Sequence, residues 1–133
     1  KDNFTNGTGA NKAQIVFHDQ RTLATTTSDN IDLAGSLSHA FGVATFTKVK
    51  AILIKVVTLT TGYRLEIGGG TNPLINWVKD ASDIVQVQAG GTLLLTAPVD
   101  GYTVTAGTGD ILKVNNPSGG SVTYDIVVIG EGS

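Results

Sequence analysis

The longest hydrophobic segment of the chain, residues 46–59, has apolar side chains on both faces of the strand that it predicts. In its first half, apolar residues alternate with Lys48 and Lys50, which predicts one buried and one solvated face. Further on, Leu53 and Val57 fall on one face, and Ile52, Ile54 and Val56 fall on the other. A strand with two apolar faces needs two covers. The second is either the N-terminal segment or a neighbouring subunit, and we predict that Ile52, Ile54 and Val56 contact that subunit.

Short alternating segments separated by turn residues predict a fold made only of β-strands. About eight or nine strands at a spacing of about 8 to 12 residues predict an antiparallel, jelly-roll-like β-sandwich. Residues 14–133 are expected to form this single domain, in which 46–59 and 63–67 make a hairpin. Between Ser36 and Gly42, the spacing of Leu37, Ala40 and Phe41 predicts one turn of helix at most.

The first 13 residues are polar and glycine-rich and have no hydrophobic period. They predict a flexible N-terminal arm that becomes ordered across a neighbouring molecule. Phe4, Asn6 and Lys12 are the arm residues predicted to dock on such a neighbour. Because the chain begins at Lys1 and contains no Met, it is expected to be a processed or shortened product.

Composition excludes several functions. The 133 residues are 41% hydrophobic and only 15% charged, which suits extensive contact between subunits. A net charge of −2 gives no general attraction to nucleic acid or anionic lipid, and no apolar run is long enough to span a membrane. The absence of Cys removes thiolate catalysis and disulfides. We expect no cofactor, no binding to nucleic acid and no binding to membranes.

Two motifs raise the question of enzymatic activity. Residues 68–70 are three consecutive glycines, but they lead to Asn72 and Pro73 rather than to a helix with a phosphate-binding Lys. His18 and Asp19 could form half of a hydrolytic dyad, although adjacent strand residues point to opposite faces. We therefore predict no catalytic residue, and a small hydrolase is the least favoured function.

Two further groups of residues suggest binding. Asp29, Asp32 and Asp110 carry the oxygens that Ca²⁺ prefers, but they also fit turns and strand ends. We therefore predict no metal site. Trp77 and Asn76, with Tyr63 or Tyr102 nearby, are a candidate glycan platform, although single aromatic residues more often anchor a core or an interface.

The chain resembles a family of small structural proteins encoded by tailed bacteriophages and prophages. The resemblance extends in order from about Ile15 to Gly130 and leaves out the arm. It rests on segments 17–23, 32–37, 40–42, 46–51, 94–98, 101–105, 107–110, 112–114 and 124–130.

This resemblance implies a non-enzymatic virion protein that decorates or cements the capsid. Its partners would be the major capsid protein or other virion proteins, and the expected assembly is a homotrimer on the particle surface. The alternative is a tail-fibre or head-fibre module that binds a host receptor or glycan. Trp77 and Asn76 would then carry the binding.

Overall fold

A computed structural model describes residues 3–35, 37–39 and 42–133, and these residues form strands without any helix. This confirms the predicted all-β class. The strands are β1 (Thr5–Asn6), β2 (Lys12–Ala13), β3 (Ile15–Leu23), β4 (Ser28–Asp32), β5 (Leu37–His39), β6 (Gly42–Ala44), β7 (Phe46–Val56), β8 (Arg64–Gly68), β9 (Ile84–Gln88), β10 (Thr92–Thr96), β11 (Tyr102–Thr103), β12 (Ile111–Asn115) and β13 (Val122–Gly132).

Two antiparallel sheets form the body of the protein. One has the order β10-β7-β13-β3, with β11 also pairing with β7, and the other has the order β4-β12-β8-β9. Four strand pairs are nested in the sequence, as in one long hairpin that has folded over: β3–β13, β4–β12, β7–β10 and β8–β9. This nesting, with the paired strands distributed over two sheets, is the topology of a jelly roll.

The core lies between the two sheets because alternate residues of their strands are apolar. In β13, Val122, Tyr124, Ile126 and Val128 all have 0% exposure, whereas the residues between them are partly exposed. Ile31 of β4, Leu65 of β8 and Leu112 of β12 meet this row from the other sheet, in one continuous cluster of buried side chains.

Strand β7 departs from simple alternation at two bulges. Its register with β13 shifts by one residue between Ile129 and Gly130 and again between Glu131 and Gly132. Each extra residue in β7 reverses the side of the sheet on which the following residue lies. Phe46, Val49 and Ile52 therefore all lie in the core, although a regular strand would place Val49 on the opposite face from the other two.

The bulges and the pairing of β7 correct three expectations. Ile52, Ile54 and Val56 were expected to contact a subunit, but they are at most 1% exposed in the core of this single chain. Lys50 was expected to face solvent and is 0% exposed. Residues 46–59 and 63–67 do not form a hairpin, because β7 and β8 belong to different sheets.

The predicted helical turn is also wrong where it can be compared. Leu37–His39 is strand β5, which pairs with β6, and Gly42 begins β6 instead of ending a helix. Ser36, Ala40 and Phe41, on which the helical spacing depended, lie outside the described residues.

Candidate functional site

The sheet that contains β7 carries apolar residues on its outer face, which points away from the other sheet. Cross-strand registers place these residues in two adjacent rows. Leu94 is 60% exposed and Val16 is 46% exposed, while the residues between them are partly exposed or buried. We call this set the outer apolar face; it consists of Leu94, Leu53 and Val127 in one row and Ala51, Ile129 and Val16 in the next.

The outer face of the other sheet is mainly polar, with Ile84 exposed on its edge strand. Ser28, Asn115 and Glu66 follow one another across three strands, and hydrogen bonds of 2.8 and 3.0 Å join the side chain of Asn115 to the other two. Lys113 and Asn30 form the neighbouring pair. In the described part of the chain, the two sheets therefore have different outer surfaces, and the outer apolar face has the character of a contact surface.

The N-terminal arm lies against the body instead of extending freely. Within it, β1 and β2 pair in parallel, and it contacts the body where Asn11 N donates to Pro98 O at 2.8 Å and Gln14 N donates to Gly130 O at 2.9 Å. Phe4 is half-buried beside an apolar groove of about 340 Å³ that Ile15, Val16 and Ile129 also line. Asn6 and Lys12 are exposed. The arm therefore lies over one end of the outer apolar face.

A buried ion pair holds the middle of this arm. Lys50 Nζ lies 3.3 Å from Glu131 Oε1 and donates to Gly9 O at 3.1 Å. It also donates to the carbonyl oxygens of Pro98 and Val99, at 3.2 and 2.8 Å. Glu131 Oε1 in turn accepts a hydrogen bond of 2.8 Å from Gly9 N. Burial favours the neutral acid, but the Gly9 amide and the Lys50 ammonium outweigh it and hold the pKa of Glu131 below its ordinary value.

A second polar cluster joins the two sheets. The guanidinium of Arg21 on β3 donates to Asp19 at 2.9 Å and to Asp29 on β4 at 2.7 Å, and Asp29 also accepts the Tyr124 hydroxyl at 2.9 Å. Burial alone would lower the pKa of Arg21, but the two carboxylates raise it above its ordinary value. Asp19 is therefore occupied by Arg21, and His18, exposed on the outer face in the row of Val127, is on the opposite side of β3. Among the described residues, Asp19 and Arg21 therefore help to link the two sheets, and His18 and Asp19 lack the geometry of a hydrolytic dyad.

The three candidate calcium ligands do not converge. Asp29 binds Arg21 and Tyr124, Asp32 accepts Gly35 N at 2.7 Å, and Asp110 accepts Gly107 N at 2.6 Å. Within the described ranges, no group of three His, Cys, Asp or Glu side chains is placed to hold a metal ion. Each Asp instead closes a local turn or ties two strands together.

Residues 68–70 form a loop in which all three glycines have positive φ, of 108°, 70° and 87°. Next to this loop, Trp77 is half-buried against the core, and its indole N–H donates to Leu74 O at 3.0 Å. Asn76 is exposed, with φ of 79°. Tyr63 and Tyr102 also pack against the core. The aromatic rings therefore take part in packing, and the only part of the proposed platform that stands free among these described residues is Asn76.

Two polar clefts lie on either side of Lys113 on the polar sheet. One, of about 390 Å³, is lined by residues that include Glu66, Asp80 and Asn115. The other, of about 380 Å³, includes Asn30 and Asn72. Sequence reasoning did not single out Lys113, since one Lys in an alternating strand has no distinguishing signal.

Sequence reasoning also missed Lys50, Glu131 and Arg21 as structural residues. For Arg21, the alternation of Phe17, Asp19, Arg21 and Leu23 on one face is a signal that was available, because it places charge on an otherwise apolar side. For Lys50 and Glu131 no such signal exists, since their meeting depends on the bulges in β7.

Comparison with known proteins adds little to this geometry. No family model matches the chain, and no curated protein matches it. A solved structure described as "Bacillus endospore appendages form a novel family of disulfide-linked pili" is similar over 96% of this chain and 95% of that chain, with 12% identity and a TM-score of 0.32. At that TM-score the similarity supports no inference. The described part of the chain contains no helix long and apolar enough to cross a membrane.

Proposed function

We propose that this protein is a non-enzymatic structural component of a virion, which decorates the assembled head of a tailed phage and stabilises it. The observation that carries this proposal is the outer apolar face, on which Leu94 is 60% exposed. Contiguous apolar patches on a soluble domain mark contact surfaces. The identity of the partner, the capsid, is supported by the resemblance to phage structural proteins.

Attachment through this face would stabilise the head by mass action. A protein that binds the assembled shell and not the free subunits lowers the free energy of the shell. The low charge of the chain, 15% of residues, limits the cost of removing ionic groups from water at such an interface. A homotrimer is the assembly that we propose on the particle surface.

The jelly roll supports the proposal only by analogy. Viral capsid proteins and lectins both use this architecture, and the fold by itself selects neither function. The choice between the two functions therefore depends on which outer surface binds a partner.

The test compares Leu94→Lys with Leu59→Lys. Leu94 lies on the outer apolar face, whereas Leu59 is 79% exposed beyond the end of β7 and serves as the matched control. Light scattering gives the mass of each protein, and co-sedimentation with heads assembled without this protein gives its binding. We expect Leu94→Lys to abolish assembly and pelleting, and Leu59→Lys to leave both unchanged. Pelleting of both variants at the wild-type level would refute docking through this face.

The alternative is a glycan-binding fibre module, for which we propose the clefts beside Lys113 as the site in place of Trp77 and Asn76. The clefts beside Lys113 present amide, carboxylate and ammonium groups, which suit a hydroxyl-rich ligand. Trp77 has little free surface for this role, since its ring packs on the core. A glycan screen in which Lys113→Ala loses a ligand that the wild-type protein and Leu94→Lys both bind would favour this alternative over capsid decoration.

A further inference from the structure

The Lys50–Glu131 pair, which we call the clamp, binds both the N–H and the carbonyl group of Gly9. Glu131 accepts the Gly9 N–H at 2.8 Å, and Lys50 donates to the Gly9 carbonyl at 3.1 Å. Opposite charges are thus matched to the two backbone groups of one residue. The contact requires no side chain from the arm, so it depends on the conformation of Gly9 and on the two charges.

The rest of the arm makes few other contacts with the body. Outside the clamp, the backbone of the arm and its junction with β3 bond to the body through Asn11 with Pro98 and through Gln14 with Gly130. The side chain of Gln14 also donates to the carbonyl of Gly132. Most residues from 3 to 12 are exposed, and Phe4 borders an open groove instead of filling it. Segments with few buried apolar contacts open at a lower free energy than the core.

Opening of the arm would leave the inward rows of β7 and β13 covered. These side chains face the other sheet, whereas the arm lies beside Val16 and Ile129 on the outer face. Instead, opening would give water access to Lys50 and Glu131 and would increase the exposure of Ile129 and Val16 at the end of the outer apolar face. Solvation compensates for the lost contacts, because a buried ion pair gains little over a hydrated one.

We propose that residues 3–13 are a latch that opens while the jelly roll stays folded, and that the Lys50–Glu131 clamp on Gly9 sets the fraction of open molecules. The open state exposes more of the outer apolar face and is therefore expected to change docking on the phage head. This effect on docking rests on the proposed function, whereas the latch itself does not.

Gly9 offers a substitution that acts on the latch without changing the body. Its φ is 105°, a conformation that L-residues rarely adopt, and nothing lies within 4 Å of a Cβ built at this position. Gly9→Ala therefore strains the closed arm without a clash. Gly107 is the matched control, because it has φ of 79° and an equally open Cβ position but lies in a turn of the body.

Hydrogen exchange measured by mass spectrometry on the full chain tests the latch. The amides of residue 9 and Asn11 bond to the body, through Glu131 and Pro98. In Gly9→Ala, we expect both amides, corrected for their intrinsic rates, to exchange about tenfold faster, the effect of a left-handed alanine on the open population. Amides of β13 should keep the wild-type rate. In Gly107→Ala the arm should keep its rate relative to β13. Exchange of the arm and β13 at one common rate in the wild-type protein would overturn the proposal, since the arm would then open only by global unfolding.

A second pair of variants tests the role of the clamp. Glu131→Gln keeps an oxygen for the Gly9 amide and removes the charge, and Asp125→Asn is the same change on the same strand away from the arm. Faster exchange of the arm in Glu131→Gln alone supports the clamp; equal rates in both variants overturn it. Failure of Gly9→Ala to change pelleting with heads, while its arm exchanges faster, would refute only the link to docking and would leave the latch intact.

Discussion

The Tyr124 hydroxyl donates a 2.9 Å hydrogen bond to Asp29, and this bond connects the centre of one sheet to the edge strand of the other. Tyr124 has 0% exposure and belongs to β13, whereas Asp29 belongs to β4. Burial and the nearby Asp29 charge raise the pKa of Tyr124, so that the hydroxyl stays protonated well above neutral pH. Together with Arg21, which binds the same carboxylate, Tyr124 closes one side of the sandwich.

Tyr124→Phe is expected to reduce the free energy of unfolding by about 1.5–3 kcal/mol, because a hydrogen bond to the partly buried Asp29 carboxylate is lost while the ring still fills its place. Urea unfolding measures this change. Tyr102→Phe is the control, since its hydroxyl makes no hydrogen bond with another described residue. Equal stability losses in the two variants would show that the Asp29 contact contributes nothing.

Ile54→Ala is expected to affect stability, and Leu94→Ala is expected to affect association. Ile54 has 0% exposure, so its truncation should cost about 2–5 kcal/mol of unfolding free energy and leave the outer surface unchanged. Leu94→Ala should change stability by about 0.5 kcal/mol or less and weaken association. Thermal unfolding and light scattering, applied to both variants, measure the two effects. If Ile54→Ala were as stable as the wild-type protein and had lost only its self-association, Ile54 would contact a neighbouring subunit after all.

Gly130→Ala is expected to destabilise the protein by about 3 kcal/mol or more. A Cβ at Gly130 would collide with the carbonyl oxygen of Lys48 and press on the Phe46 ring. Gly130 lies at the first register shift between β13 and β7. Gly119→Ala meets nothing within 4 Å and should be nearly neutral. Chemical denaturation compares the two, and a neutral Gly130→Ala would mean that the strands can separate at the bulge without loss.

Glu131 is expected to make the stability of the arm fall in acid. Its pKa is lowered in the folded protein, so its contribution is present above the ordinary pKa of glutamate and is lost as the pH falls through the lowered folded value. Arm exchange, corrected for the intrinsic rate and followed from about pH 7 to about pH 3, should show this loss. Glu131→Gln should remove the pH dependence, and Asp125→Asn should retain it. A wild-type profile that matches Glu131→Gln would contradict the assignment.

Particular strands show what local pattern reveals. The alternation in residues 122–129 coincides with the inward row of β13, because a period of two depends only on the chain itself. The same reasoning recognises that residues 46–59 are apolar on both sides, and then assigns the wrong side to the surface. The error is physical: which face turns inward is decided by the sheet that packs against it, and pairing with β13 and β10 places Ile52 inward and Leu53 outward.

The candidate site shows the same division. The arm was identified from its composition, but its contact with Lys50 depends on a bulge and on Gly130, which are about 80 residues apart in sequence. Pairing such distant segments is a property of the whole topology, and two residues that are separated in this way carry no local signal of their meeting.

The sequence by itself determined that this protein is an all-β domain, because alternating hydrophobicity and glycine-rich turns act within a few residues of one another. It also determined that one strand would have more apolar surface than a single core can cover. Only the tertiary structure decided which surface remained uncovered, where the arm lies and which charges are buried. Those outcomes depend on how two sheets pack and on where their registers slip, and both are set by contacts between residues far apart in the chain.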